Sequence, residues 1–228
     1  MNEQSNQPAR RDFLKQASAA AMVTGFPAII KAQTVTNAIK VGLIGAGGRG
    51  SGAARQALTA DDYAELTAVA EVDQAPIDRL MNNLKRVEKL APRVKVEKER
   101  EYLGLEAYQK VIGSGVDVVL LATPPGFRPL HLAACIEAGK HVFCEKPVGT
   151  DAPGVRSVLE TTEKAREKNL TLVSGFCWRY NNMIQETFQK MEEGAIGKLV
   201  AYYATYYTSP VKPMPPANTR PDGMSDVQ

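Results

Sequence analysis

Apolar positions in this chain fall into short unbroken runs separated by stretches of helical spacing, and the two kinds alternate from residue 39 to residue 174. Val41–Ile44, Leu66–Ala70, Val116–Ala122, His141–Cys144 and Leu170–Ser174 are the runs, with a shorter strand expected near Tyr102. Runs of this length without polar alternation mark strands buried on both faces, as in parallel sheets. Ser51–Thr59, Pro76–Leu90, Glu106–Ile112, Pro129–Ala138 and Pro153–Lys168 read as the intervening helices. In the second of them Ile77, Leu80, Met81, Leu84 and Val87 share one face. Pro129 suits a first helical turn, and Gly139 stops the helix that it opens. The alternation predicts an α/β fold, a doubly wound parallel sheet of Rossmann type over residues 34–174.

The first run ends in Gly45-Ala46-Gly47-Gly48-Arg49-Gly50, with helical spacing directly after it. Strand, Gly-x-Gly-x-x-Gly and helix in that order are the context that gives the motif meaning. Gly45 permits the tight turn, Gly47 and Gly48 leave the backbone open to a pyrophosphate, and Gly50 lets helix and strand pack closely. The helix N-terminus then turns free N–H groups and its positive dipole end toward the phosphates. The second strand ends at Glu71, 21 positions beyond Gly50, where an acid meets the adenosine ribose hydroxyls of such a ligand. Together these predict a dinucleotide site, with NAD favoured because Glu71 repels a 2′-phosphate. Arg49 is the counterweight that keeps NADP open. Thr123-Pro124 forms a stiff turn at the carboxyl edge of the sheet, where ligands of doubly wound folds sit.

Composition changes little in this picture. Of 228 residues 44% are hydrophobic and 23% charged, as in ordinary globular chains. Residues 34–228 carry 24 basic and 23 acidic side chains, so neither nucleic acid nor an anionic membrane is an expected partner. Cys135, Cys144 and Cys177 lack metal-site spacing and have apolar neighbours, so they read as buried small hydrophobes, and no metal is expected.

Residues 1–33 stand apart from the fold. Arg10-Arg11-Asp12-Phe13-Leu14-Lys15 has the form of a twin-arginine export signal, with a mildly apolar stretch, Ala17–Ile30, behind it. That stretch is broken by Gly25 and Pro27 and falls short of the roughly 20 apolar residues of a membrane span, so no stable anchor is expected. The expectation is an extracytoplasmic, periplasmic protein that meets the export machinery already folded and carries its dinucleotide out with it.

Ala138-Gly139-Lys140-His141-Val142-Phe143-Cys144-Glu145-Lys146-Pro147 resembles the hallmark of the glucose–fructose oxidoreductase/inositol dehydrogenase (Gfo/Idh/MocA) family. The glycine loop, Thr123-Pro124 and Gly175-Phe176-Cys177-Trp178-Arg179-Tyr180 resemble that family's other blocks, in order. The resemblance implies a Rossmann domain followed by an α/β domain on a large open sheet, here residues 175–228 and incomplete. It implies NAD or NADP, and a sugar, polyol or related alcohol as substrate. By the same resemblance Lys146 contacts the reacting oxygen, where an ammonium stabilises a developing alkoxide; the plain alternative is a solvated loop lysine. Lys146–Pro147 is expected to be cis. Glu145 is expected to accept a hydrogen bond on the cofactor side, with Arg179 and Trp178 walling the nicotinamide end, or Trp178 simply packing in a core.

Two departures from the family stand out. Arg128 occupies a position where members often have histidine; it either holds a phosphate or carboxylate bidentately or caps the surface. Members also usually carry a proton-transfer histidine and an acid beyond Tyr207. His141 begins its strand, roughly 15 Å from the site, and His131 either caps and packs or takes a part in proton transfer. The helix Met183–Glu193, the strand Lys198–Thr208 and a tail with five prolines over Pro210–Gln228 are all that represent the second domain. The chain is therefore expected to be a truncated member that binds dinucleotide with negligible turnover, to expose Tyr202–Tyr207 as an edge, and to form homo-oligomers if full length. An NAD-dependent glycosidase and a non-catalytic dinucleotide-binding protein are the competing readings.

Overall fold

The computed structural model describes residues 38–207. The twin-arginine segment and the tail Pro210–Gln228 lie outside the described residues. Six strands, β1 (Ile39–Ile44), β2 (Ala64–Glu71), β3 (Glu101–Leu103), β4 (Val118–Leu121), β5 (His141–Cys144) and β6 (Leu172–Ser174), form one parallel sheet in the order β3-β2-β1-β4-β5-β6. Helices α1 (Gly48–Ala60), α2 (Gln74–Lys85), α3 (Ala107–Gly113), α4 (Arg128–Glu137) and α5 (Ala152–Glu167) are the crossovers, and α6 (Asn182–Glu192) follows the sheet. The chain builds outward from β1 to β3, then returns to place β4 on the other side of β1. That reversal opens a crevice at the carboxyl ends of β1 and β4.

Each face of the sheet has its own core. Leu43, Leu58, Leu66, Ile77 and Leu80 pack on the α1–α2 side, and Val111, Val119, Leu121, Leu132 and Ile136 on the opposite side. Ten side chains buried in this way stabilise the fold by about 2 kcal/mol each. One irregularity links the two faces. Leu66 pairs with Val41 and Ala68 with Gly42, so Thr67 is an extra residue in β2. The extra residue resets the alternation, and Leu66 and Val69, three apart, meet the same core.

Local chemistry sets the helix boundaries. Asp73 accepts a hydrogen bond from the Ala75 N–H and starts α2 two residues before Pro76. The apolar periodicity runs to Leu90, yet α2 ends at Lys85. The chain must leave the helix so that Val94 can lie beside Leu66 and Lys95 can donate to the Leu66 carbonyl at 2.8 Å. Asp151 caps α5 through the Gly154 N–H at 2.7 Å, one residue ahead of the expected helix. Strand β6 starts at Leu172 instead of Leu170, because the Thr171 N–H donates to His141 Nδ1 at 2.9 Å.

Two expectations fail beyond β6. Residues 198–207 form no strand, and Tyr202, Tyr203, Tyr206 and Tyr207 are exposed. A strand needs a neighbour for its N–H and C=O groups, and no described residue pairs with this segment. Cys177 is exposed as well, in a 3-10 turn over Cys177–Tyr180, while Cys135 and Cys144 are buried. Apolar neighbours in sequence do not bury a side chain on an irregular turn. Among the described residues no helix is long and apolar enough to cross a membrane.

Candidate functional site

The crevice at the switch point is a cavity of about 420 Å³. The glycine turn forms its floor. Gly45 has φ +94, a left-handed conformation that side chains rarely adopt, and its N–H donates to the Ala70 carbonyl at 2.9 Å. At Gly50 a methyl group would lie 1.8 Å from the Gly45 carbonyl oxygen, so α1 meets the end of β1 at backbone distance. Gly47 differs from both: it has ordinary extended dihedrals, and a Cβ there would meet nothing within 4 Å. Gly47 and Gly48 are exposed on the cavity side, at a helix start without a side-chain cap or an acidic first turn. Uncapped N–H groups at a positive dipole end are a ready anion site.

Glu71 lines the cavity at the end of β2. Its carboxylate accepts from the Ala46 N–H at 3.1 Å and from the Val72 N–H at 2.6 Å, which fixes it between the glycine turn and the end of β2. Thr123 and Pro124 line the opposite wall with Phe127 and His131. His131 is buried, stacked on Tyr108 with ring centroids 4.2 Å apart, and its Nδ1 lies 3.3 Å from Thr123 Oγ1. Burial lowers its pKa to about 4, so it is a neutral wall of the cavity near neutral pH.

Arg128 lines the cavity and is not a surface cap. It is buried, and its guanidinium holds backbone carbonyls. Nε donates to Thr123 at 2.8 Å, and Nη1 donates to Glu145 at 2.9 Å and also to Pro147. It thereby ties the turn after β4 to the loop after β5. That loop carries Lys146, which is exposed and does not line the cavity, and a cis Lys146–Pro147 bond. Glu145 is buried, and its carboxylate accepts from Arg49 Nε at 2.6 Å, joining the β5 loop to the glycine turn.

Trp178 and Arg179, expected at the nicotinamide end, do not line this cavity. Trp178 is exposed, edge-on to Tyr206 at 5.5 Å, and Arg179 lines a separate cleft with Val148 and Tyr180. Both lie past the last strand, where sheet register no longer aims side chains. Among the described residues no cluster of His, Cys, Asp and Glu could hold a metal ion.

Fold, glycine turn and the acid that ends β2 are those of a dinucleotide-binding Rossmann domain. Residues 39–176 match the Gfo/Idh/MocA family, described as an oxidoreductase family with an NAD-binding Rossmann fold, and the chain belongs to that family. It is 29% identical to a myo-inositol 2-dehydrogenase of Thermotoga maritima over 160 residues, 70% of this chain and 42% of that one. It is 26% identical to a glycosyl hydrolase family 109 protein of Shewanella amazonensis over 168 residues, 74% of this chain and 35% of that one. A scyllo-inositol dehydrogenase of Lactobacillus casei, solved with NAD(H) and scyllo-inositol, is similar at TM-score 0.55 and 28% identity, covering 71% of this chain and 43% of that one. The chain spans less than half the length of these relatives.

The geometry separates binding from folding at two glycines. Gly47→Val is expected to keep the wild-type denaturation midpoint and to weaken NAD binding at least ~100-fold, each tenfold being about 1.4 kcal/mol. Gly50→Ala is expected to lose about 3 kcal/mol of stability through the clash with Gly45. Urea denaturation and titration calorimetry on the two variants check this.

His131 adds a pH dependence. Its folded pKa of about 4 lies below the ordinary 6.5, so between those values the unfolded chain holds a proton that the folded chain refuses. Its contribution is fully present above pH 6.5 and lost as pH falls toward 4, reaching on the order of 3 kcal/mol. His131→Gln is expected to flatten the stability profile across that window, measured by urea denaturation at stepped pH.

Proposed function

We propose that the protein is a nicotinamide-dependent oxidoreductase that moves hydride to or from a sugar, polyol or related alcohol, and that it works outside the cytoplasm after export in the folded state. The observation that carries the catalytic part is the placement of Lys146. It sits on a loop that Arg128 ties to the Thr123 turn, beside a Glu145 that Arg49 ties to the glycine turn. Bound nicotinamide dinucleotide supplies the hydride acceptor or donor. The protein's own work is to hold the pyrophosphate at the start of α1, to seat the ribose against Glu71, and to present the Lys146 ammonium to the substrate oxygen. A cation there stabilises charge that develops on oxygen as the C–H bond breaks or forms.

Assayed with NAD against a panel of polyols and sugars, the protein encoded by the complete gene should turn over at least one of them. Lys146→Ala should lower kcat about 100- to 1000-fold and leave the NAD dissociation constant within about twofold. Unchanged kcat in that variant would remove Lys146 from the chemistry. NAD should bind at least ~10-fold more tightly than NADP. The Arg49 guanidinium is held at Glu145, three strands and roughly 14 Å across the sheet from Glu71, and so gives no counterweight to the carboxylate there.

The likeness to a glycosyl hydrolase family 109 protein favours one second reading, an NAD-dependent glycosidase that oxidises, eliminates and reduces without net redox change. Cleavage of aryl glycosides only in the presence of bound dinucleotide, with no net nicotinamide reduction, would select it. The export proposal rests on Arg10-Arg11. Replacing both with lysine should retain the precursor in the cytoplasm, and normal periplasmic accumulation of that double variant would reject the signal.

A further inference from the structure

Arg49 and Glu145 belong to loops 96 residues apart, and their contact is unusual for a ligand site that expects an anion. A carboxylate beside a pyrophosphate weakens binding by simple repulsion. The Glu145 side chain is nevertheless nearly sealed, at 5% exposure, while that of its partner Arg49 is 47% exposed and lines the cavity. The guanidinium is held along two edges: Nε donates to Glu145 at 2.6 Å and Nη2 to Gln56 at 2.9 Å. Its Nη1 has no hydrogen-bond partner among the described residues and lies beside the second turn of α1, 3.1 Å from where a methyl group on Gly52 would sit. The cation is therefore fixed on the flank of α1, at the edge of the cavity into which the uncapped start of that helix opens.

We propose that Arg49 is a direct pyrophosphate ligand and that Glu145 is its positioning residue, acting on the dinucleotide only through Arg49. The proposal rests on the dinucleotide site described above. An exposed arginine on a glycine turn samples many rotamers, and ordering it on binding costs entropy that a buried anchor removes beforehand. The anchored carboxylate gains a second effect. Its charge is already neutralised by Arg49, so the ligand meets an edge of no net charge whose exposed end is the guanidinium, instead of an anionic one.

The test is a double-mutant cycle on dissociation constants, measured by calorimetry with NAD and with ADP-ribose, which keeps the pyrophosphate and lacks the nicotinamide. Arg49→Ala should weaken both ligands alike, about tenfold or more. Glu145→Ala should weaken both about fivefold when Arg49 is present and not at all in the Arg49→Ala background. Equal weakening by Glu145→Ala in both backgrounds would mean that Glu145 touches the ligand itself, and tighter binding would mean that only its charge matters; either overturns the proposal. So does a loss on Arg49→Ala confined to NAD, which would place Arg49 at the nicotinamide half. Should Glu145→Ala fail to fold, Arg49→Lys decides: it keeps the charge without the fork, and wild-type affinity in that variant overturns the proposal. No binding of either ligand by the unaltered chain would overturn the site together with it.

Discussion

At Gly50 the helix α1 comes so close to the Gly45 carbonyl oxygen that no side chain fits between them, and the rest of the site depends on that approach. Only with the two backbones in contact does α1 start within a few residues of β1 and direct its first N–H groups over the end of the sheet. The same contact sets the height of Gly47 and Gly48 above the crevice and brings Arg49 within reach of a loop two strands away. Moving α1 outward by the width of a methyl group would separate the phosphate-facing N–H groups from Glu71 and from Thr123 together. One steric constraint thus governs the floor of the cavity and the walls that face each other across it.

Arg128 performs a similar service for the opposite wall by a different means. It is a buried cation without a carboxylate in contact, stabilised by the carbonyl dipoles of Thr123, Glu145 and Pro147. A guanidinium can do this because it is planar and offers several donors in a fixed fork, whereas a lysine ammonium offers a single compact point. Charge and geometry coincide here, and the Arg128 hydrogen bonds align the loop that carries Lys146 with the turn after β4.

Much of the architecture was legible in the residue pattern. Strand β5 falls on His141–Cys144 as read, because Gly139 and Pro147 bracket a run with nowhere else to pair. The placement of the glycine turn and Glu71 on one cavity was legible because it depends on spacing along a single βαβ unit. Helix α2 was read too long because Val87 continues its apolar face, while the pairing of Val94 with β2 that ends it is a tertiary event. The parts of Arg49, Glu145 and Arg128 were not legible for the same reason. Their partners are backbone atoms and side chains that only the assembled sheet brings near, and residue type alone leaves a surface cap and a buried strut indistinguishable. The strand expected over residues 198–207 fails on the opposite ground: its alternation is genuine, but among the described residues nothing lies beside it.

Both outer strands of the sheet, β3 and β6, are only three residues long. A long unpaired edge invites another chain to add a strand, and shortness is one of the ways in which folded proteins discourage that. Here the two margins offer so few free N–H and C=O groups that a foreign strand would gain little by docking on either. Among the described residues the sheet thus offers little at either side to growth by self-templating. Colloidal behaviour of the described residues then passes to the exposed aromatic side chains beyond β6, from Trp178 to Tyr207, which do not form the rim of a sheet.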